Sequence, residues 1–412
     1  MDYEGKTCPC GDGYACVEGK CRHLGDAGTQ DGDAGTPDGD AESDGEAHCT
    51  PPNVPPVARL TAGQRHTCAI RGGELWCWGI NDRGQLGLGD LESRSFPVRV
   101  GTESDWLTVS AASGHTCGIR STNNVGGLYC WGDNEQGQLG TGAGEEMIPT
   151  PTLVSNNIQF ATVATGESHT CGLQGNGTLW CWGRQAGGAV GLGNLGEPMT
   201  SPARVSQVDS FVDLSAGAGH NCVVRDDATL WCWGHFECFQ LGTPNHQLVP
   251  HQVDAQCWRD VAAGATHTCG ILDDDTLRCF GSNGRGQLGN GVVGGGEPGY
   301  EGCLGYVEPQ VVQGGHSWRA VTGGWLHTCG ITTEGALYCW GYNEQNQIAD
   351  VEEDGIPTPM RVGTESNWVE VAAGFFHTCA RNTDDEVYCQ GLNEDGQQGT
   401  GTYNRTLVLV EF

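Results

Sequence analysis

Seven times along this 412-residue chain a His-Thr-Cys triplet, His-Asn-Cys in the fourth copy, is followed nine to thirteen residues later by a second cysteine beside an aromatic residue. In the first copy the groups are His66, Cys68 and Cys77. Two chemistries are open to them. The thiols can close a disulfide, or the imidazole and thiolates can hold zinc, since His66 and Cys68 share one face of a strand. The intervening Arg71-Gly72-Gly73-Glu74 reads as a hairpin turn, and counting outward from it sets Ile70 opposite Leu75 and Cys68 opposite Cys77. Directly opposed residues on antiparallel strands approach closely enough for a disulfide. The same count gives Cys117–Cys130, Cys171–Cys181, Cys222–Cys232, Cys269–Cys279, Cys329–Cys339 and Cys379–Cys389. Seven identical zinc sites are the weaker alternative, so no metal is assigned. Each short closed loop restricts the unfolded chain by roughly 2–3 kcal/mol. The repeated histidine is then expected to be a buried, hydrogen-bonded group that ties one repeat to its neighbour.

The elements that must position these groups read as β structure. The second cysteines recur at spacings of 53, 51, 51, 47, 60 and 50 residues, the mark of a closed or stacked repeat array. In Leu75-Trp76-Cys77-Trp78 the side chains alternate faces, and Gly-rich or Asn-rich turns bound such runs. Four short strands fit a unit of about 50 residues, and radial closure removes most exposed sheet edges. The predicted fold is an all-β, seven-bladed propeller with four-stranded blades, each carrying its own disulfide. Inner copies continue into a Pro-x-x-Val strand, as in Phe96-Pro97-Val98-Arg99-Val100. No such strand precedes Val57, so the terminal Leu407-Val408-Leu409-Val410-Glu411-Phe412 is expected to complete the blade that the N-terminus begins.

The run GQRHTCAIRGGELWCWGINDRGQLGLGD resembles the repeat of the regulator of chromosome condensation family, and the resemblance covers about residues 57–412. It implies a seven-bladed propeller. Copies depart from the pattern at Phe280 and Gln390, where most have Trp, at Phe239-Gln240-Leu241-Gly242, and at Asn346-Gln347-Ile348-Ala349. Founding members exchange nucleotide on a nuclear GTPase. That activity is not carried over, because an exported chain would not meet such a GTPase and no inserted wedge matches the exchange element. Secreted bacterial β-lactamase inhibitory proteins of this propeller class, which bind partners across one face, are the better analogy.

Three regions separate by composition: a Cys-rich segment at 1–23, an acidic Gly/Asp/Pro linker at 24–56, and the propeller at 57–412. The linker carries eight acidic residues and almost nothing apolar, so it cannot bury a core. Its Asp-x-Asp spacing would suit calcium only if a turn aimed several oxygens at one point. A formal charge of −31 argues against nucleic acid and anionic membranes. Twenty-two cysteines argue for an oxidising compartment, so the chain is expected to be extracytoplasmic, secreted or at the outer surface or periplasm. No apolar run is long enough to span a membrane, and a secretory leader is expected upstream of Met1. The CPCGDGYAC segment with its acidic spacer is similar to the tethers of exported surface lipoproteins of myxobacteria, which implies a lipid anchor upstream of residue 1. Of the remaining cysteines, Cys8, Cys10, Cys16 and Cys21 are expected to form two bridges of open connectivity, Cys238 to pair with Cys257, and Cys49 with Cys303.

No Gly-x-Ser-x-Gly elbow, phosphate-binding loop or His-Glu-x-x-His occurs, so no catalytic residue and no cofactor are assigned. The variable residues before each repeated histidine should gather round one mouth of the channel: Gln64-Arg65, Ser113-Gly114, Glu167-Ser168, Ala218-Gly219, Ala265-Thr266, Trp325-Leu326 and Phe375-Phe376. Trp325, Leu326, Phe375 and Phe376 stand out as large and apolar on neighbouring blades. Either they form an exposed hot spot with Arg65, or they plug the channel. The insertion from Gly291 to Pro309, with Tyr300 and Tyr306, is a second candidate binding loop. The expected function is recognition of an extracellular protein or glycan, as adhesin, inhibitor or assembly subunit. A hydrolase using paired surface carboxylates and a purely structural surface subunit are the alternatives.

Overall fold

The computed structural model describes residues 14–17, 20–23, 49–52, 58–122, 125–142, 144–155, 157–205, 210–299 and 302–412. Two compact units divide the chain, Met1–His48 and Cys49–Phe412. In the first, Tyr14–Val17 pairs antiparallel with Lys20–His23. Cys16 stands opposite Cys21 in this hairpin, whereas Cys8, Cys10 and linker residues 24–48 and 53–56 lie outside the described residues, and with them the two bridges expected among Cys8, Cys10, Cys16 and Cys21. No helix among the described residues is long and apolar enough to cross a membrane.

The second unit is a seven-bladed all-β propeller. In the first blade the inner strand Leu60–Ala62 pairs with His66–Arg71, which pairs with Glu74–Gly79, which pairs with the outer strand Arg94–Arg99. The other copies repeat this order, and the fifth adds a two-residue strand, Glu297–Pro298, from its insertion. Prolines such as Pro97, Pro202 and Pro250 fall on the outer strands, where a missing N–H costs no ladder bond and discourages edge pairing. The register matches the count made from the turn: Ile70 faces Leu75 and Cys68 faces Cys77. All seven intra-blade pairs are disulfide-bonded, with Cα atoms 4.0–4.2 Å apart. Cysteines consumed in this way cannot serve as zinc ligands.

Two expectations are corrected. The C-terminal strand Val408–Leu409 pairs with Val387–Gly391 of its own copy, so every copy builds a complete blade and no strand is lent across the seam. Closure comes instead from side chains. Phe412 packs edge-on against Trp76 and Trp78 of the first blade, and Glu370 accepts hydrogen bonds from the backbone N–H groups of Arg59 and Leu60. The remaining cysteines pair as Cys49–Cys257 and Cys238–Cys303. Cys238 follows the third strand of blade four, whereas Cys257 precedes the inner strand of blade five, at the far end of the outer strand Gln247–Gln252. Neighbours in sequence thus face opposite sides of the propeller, and each finds a distant partner on its own side.

The core is distributed. Seven clusters of buried side chains each lie between two neighbouring blades, such as Ile70, Leu75 and Leu86 with Trp106 and Trp131. A ring of relays accompanies them. The buried His66 meets the Thr116 hydroxyl of the next blade, and Thr116 donates to the Gln85 carbonyl. His115–Thr170, His169–Asn221, His220–Thr268, His267–Thr328, His327–Thr378 and His377–Thr67 repeat the contact at 2.8–3.0 Å. Because each threonine spends its proton on a carbonyl, the histidine Nε2 must be the donor, which assigns the tautomer. The Asn221 carbonyl oxygen demands the same. The glycine after each tryptophan, Gly79 in the first blade, has φ +105°, and a Cβ there would overlap the Arg65 carbonyl and the His66 backbone, so this position requires glycine.

Burial keeps all seven imidazoles neutral, with pKa values lowered from 6.5 to about 3 or about 4. A depressed histidine adds stability above its unfolded pKa and loses it as pH falls below 6.5 towards the folded value. Asp213 and Asp260, on the inner strands of blades four and five, act in the opposite sense, because burial raises both. Asp133 and Asp395 are raised in the same sense, so four carboxyls oppose seven imidazoles. Each histidine contributes a slope of about 1.4 kcal/mol per pH unit. The urea midpoint should therefore drop markedly from pH 7.5 to pH 5. An equal or higher midpoint at pH 5 would contradict the neutral ring. Non-reducing peptide mapping should recover Cys49–Cys257 and Cys238–Cys303, and recovery of Cys238–Cys257 would reject the cross-blade staples.

Candidate functional site

One end of the ring is built by the seven loops that precede the relay histidines. Their neighbours are so close that the backbones bond to one another: Gln64 N–H to the Ala112 carbonyl at 2.8 Å, Ala265 to Gly324 at 3.2 Å, and Trp325 to Gly374 at 3.2 Å. This crowding explains the small residues. Ala62, Ala111, Thr165, Ala216, Ala263, Gly323 and Ala373, one from each blade, line a shallow axial well of about 100 Å³. A Cβ on Gly324 would meet its own His327 ring and the Gly374 carbonyl, so the well cannot be closed by larger residues there.

Trp325 and Phe375 stand at the rim of this well. Their rings lie 3.8 Å apart, centroid to centroid, inclined by 31°. Phe375 meets Phe376 edge-on at 4.8 Å, and Phe376 lies 5.6 Å from Tyr342. Trp325, Phe375 and Phe376 cover one another and form a half-buried ridge over blades six and seven, not an exposed patch, and Leu326, next to Trp325 in the chain, is half-buried as well. The ridge is held from below. The Leu326 carbonyl accepts the Tyr342 N–H at 2.9 Å, and the Phe376 carbonyl accepts the Leu392 N–H at 2.7 Å. Tyr342 donates its hydroxyl to Glu344 at 2.6 Å and lies under the Arg285 guanidinium at 5.1 Å. Burial and then the Glu344 carboxylate push this phenol up to about 12, so it stays a donor.

On the other side of the well, a cleft of about 320 Å³ runs over blades three to five. Glu167, Ala218, Ala265 and Trp325 belong to both depressions, which makes them one continuous surface. Glu167, Arg184 and Glu237 supply the cleft's charge, and His235 stands among them. His235 Nδ1 lies 3.5 Å from a Glu237 oxygen, and the Cys238–Cys303 staple follows directly. The loop readings missed Arg184, His235 and Glu237. For two of them a second row carried the signal: the residue after the glycine that ends the third strand is Ile80, Asp133, Arg184, His235, Ser282, Tyr342 and Leu392.

The other sequence candidates are placed elsewhere. Arg65 forms an ion pair with Asp395 across the seam between blades one and seven, and burial raises the Asp395 pKa against that attraction. Tyr306 sits on the outer strand of blade five and packs on the cluster of Leu277, Leu288 and Trp340, lining neither well nor cleft. Tyr300 lies outside the described residues.

If the ridge serves recognition and not cohesion, its removal should cost little. Trp325→Ala and Phe375→Ala are each expected to lower stability by under about 1.5 kcal/mol, the scale of one half-exposed aromatic pair. His327→Ala, which strands buried relay partners, should cost about 2 kcal/mol or more. A loss for Trp325→Ala equal to that for His327→Ala in urea titrations would make the ridge a plug.

Comparison with known proteins accords with this geometry. The model of the RCC1-like domain matches residues 107–411, and models of the RCC1 (regulator of chromosome condensation) repeat match 72–119 and 57–85. The ultraviolet-B receptor UVR8 of Arabidopsis thaliana is 28% identical over 303 residues, 71% of this chain and 66% of the receptor. The human E3 ubiquitin-protein ligase HERC2 is 30% identical over 323 residues, 74% of this chain but 6% of the ligase. The chain thus spans less than two thirds of these relatives. Among solved structures, human WBSCR16 superposes with a TM-score of 0.72 at 17% identity, covering 83% of this chain and 94% of that one. Prp20p of Saccharomyces cerevisiae gives 0.72 at 20% identity, covering 86% and 88%. Repeat, blade order and superposition agree that the chain belongs to the RCC1-like propeller family.

Proposed function

We propose that the chain is an extracytoplasmic binding propeller that recognises a protein partner through the continuous well, ridge and cleft at one end of its ring. The observation that carries this reading is the ridge itself. Trp325, Leu326, Phe375 and Phe376 are large apolar residues where the other blades place small or polar ones, and Trp325 and Phe375 stand at the rim of a well lined mostly by Ala and Gly. A half-buried aromatic group beside a charged cleft has the make-up of a hot spot with a polar surround. The scaffold does not need to order itself on binding, so little of the contact energy is lost to entropy. Relatives of the same family support a protein partner: the yeast protein is described as binding Gsp1p and histones, and as bound to Kap60. Nine disulfides, with no free cysteine among the described residues, support an oxidising compartment.

The test is capture from a native cell-surface fraction on immobilised propeller, read by mass spectrometry. The wild-type chain should retain a defined protein. Trp325→Ala and Phe375→Ala should lose it at least tenfold, and Phe96→Ala, an exposed change on an outer strand, should retain it. Equal capture by all three variants would remove this face as the site.

A further inference from the structure

The inner strands present an open edge to the channel, and N–H groups on that edge are satisfied by side chains of the preceding blade. Hydroxyls do this at three interfaces. Thr61 accepts from the Ala111 N–H at 3.0 Å, Ser110 from Thr165 at 3.1 Å and Ser215 from Ala263 at 2.9 Å. Carboxylates do it at two. Glu370 takes the Arg59 and Leu60 N–H groups at 2.7 and 3.0 Å. Asp213 takes the Val261 N–H at 3.0 Å with one oxygen and its neighbour Leu214 at 2.8 Å with the other. The two carboxylates are balanced differently. Glu370 is paired with Arg381 of its own blade at 2.8 Å. Asp213 makes no ion pair among the described residues, and what lies against it is a second acid, Asp260.

Asp260 stands two residues after Trp258, the place that Asp213 fills after Phe211. Blades two, three and six have Thr108, Thr162 and Ala320 there, so only between blades four and five do carboxyl groups fall on both sides. Asp260 is within hydrogen-bonding reach of Asp213. Two carboxylates have no hydrogen to share, so one of the pair must carry a proton. The surroundings supply no cation in its place. Arg259 is turned onto Asp275 and the Trp318 carbonyl, and Arg319 of blade six onto the Trp368 carbonyl. Arg225, on the second strand of blade four, is paired with Asp227. The relay histidines His220 and His267, at the far ends of the two second strands, are neutral. Burial raises Asp213 to about 6, and burial with the charge of Asp213 raises Asp260, so Asp213 ionises first and Asp260 is the donor.

We propose that blades four and five are joined by one shared proton, donated by the Asp260 carboxyl to the Asp213 carboxylate, and that its loss as pH rises loosens the mouth where well and cleft meet. The strands that carry the pair run directly into the loops of Ala218 and Ala265, which line both depressions. Once both carboxyls are ionised, like charges face each other in a largely buried site. The inner strands then part, and Val261 and Ala263 lose the oxygens that hold them to blade four. A carboxyl raised on folding stabilises the fold fully below its ordinary range and loses that contribution as pH climbs through its folded value, the reverse of the relay histidines. The consequence for recognition rests on the function proposed above; the shared proton does not.

The test uses the full chain without a partner, so its outcome is independent of the capture experiment. Infrared difference spectra at neutral pH should show the carbonyl stretch of a protonated carboxyl in the wild type that Asp260→Asn removes. In hydrogen exchange read by NMR, the protection factors of the Val261 and Ala263 N–H groups should fall at least tenfold from about pH 6 to about pH 9. Those of Leu60, held by the Arg381-balanced Glu370, and of Ala111, held by a hydroxyl, should change less than threefold. Asp260→Asn keeps a donor to Asp213 and should abolish the fall. Asp260→Ala, the residue blade six has at this place, should abolish it as well and serves where the amide disturbs packing. No infrared difference between wild type and Asp260→Asn, a flat wild-type profile at Val261 and Ala263, an equal fall at Leu60 and Ala111, or an undiminished fall in the variants would each overturn the proposal.

Discussion

A neutral histidine that donates to the next blade is the constraint on which the propeller rests. Blades have little in common covalently; the chain crosses between them once per copy. What fixes their spacing is the relay from imidazole to threonine to carbonyl, completed around the ring by His377 and Thr67. In five of the seven relays the terminal carbonyl also takes the indole N–H of the neighbouring blade, so one oxygen fixes two side chains. This arrangement works only while the imidazole is uncharged, because its Nδ1 is buried without a partner in six of the seven positions. Charging it would place a cation in a site with no acceptor.

Rigidity is divided between two kinds of link. Disulfides hold the middle hairpin of every blade, and packing and hydrogen bonds hold blade to blade. The exceptions are informative. Cys238–Cys303 crosses from blade four to blade five beside the charged cleft, where the usual loop has become Phe239-Gln240-Leu241-Gly242. The seam between blades seven and one lacks a shared strand and is closed by Phe412, Glu370 and the Arg65–Asp395 pair. Departures from the repeat therefore fall where the molecule offers something its symmetry would not: a ridge and a cleft.

The residues that carry surface chemistry sit on loops whose ends are pinned within one residue of a relay histidine. Trp325 and Phe375 therefore have little freedom to collapse into the well, even though both are apolar and lie at its edge. Their stacking is the compromise: each ring shields one face of the other from water, and the outer faces remain available.

Much of this was legible in the sequence, because the repeat is local. Hairpin register follows from turn length, so the seven intra-blade disulfides could be counted out from Arg71-Gly72-Gly73-Glu74 and its counterparts. The inter-blade role of the histidine followed from its recurrence beside a buried strand. The gathering of seven loops at one mouth followed from closure. What the sequence could not decide was anything that joins residues far apart without a repeating partner. Cys238 and Cys257 are near in sequence yet lie at opposite ends of an outer strand, so proximity along the chain misassigned them. The last strand stays with its own copy because side chains, not a shared sheet, close the ring. The charge of the cleft exists only where neighbouring blades meet, and the shape of that meeting is set by packing in three dimensions.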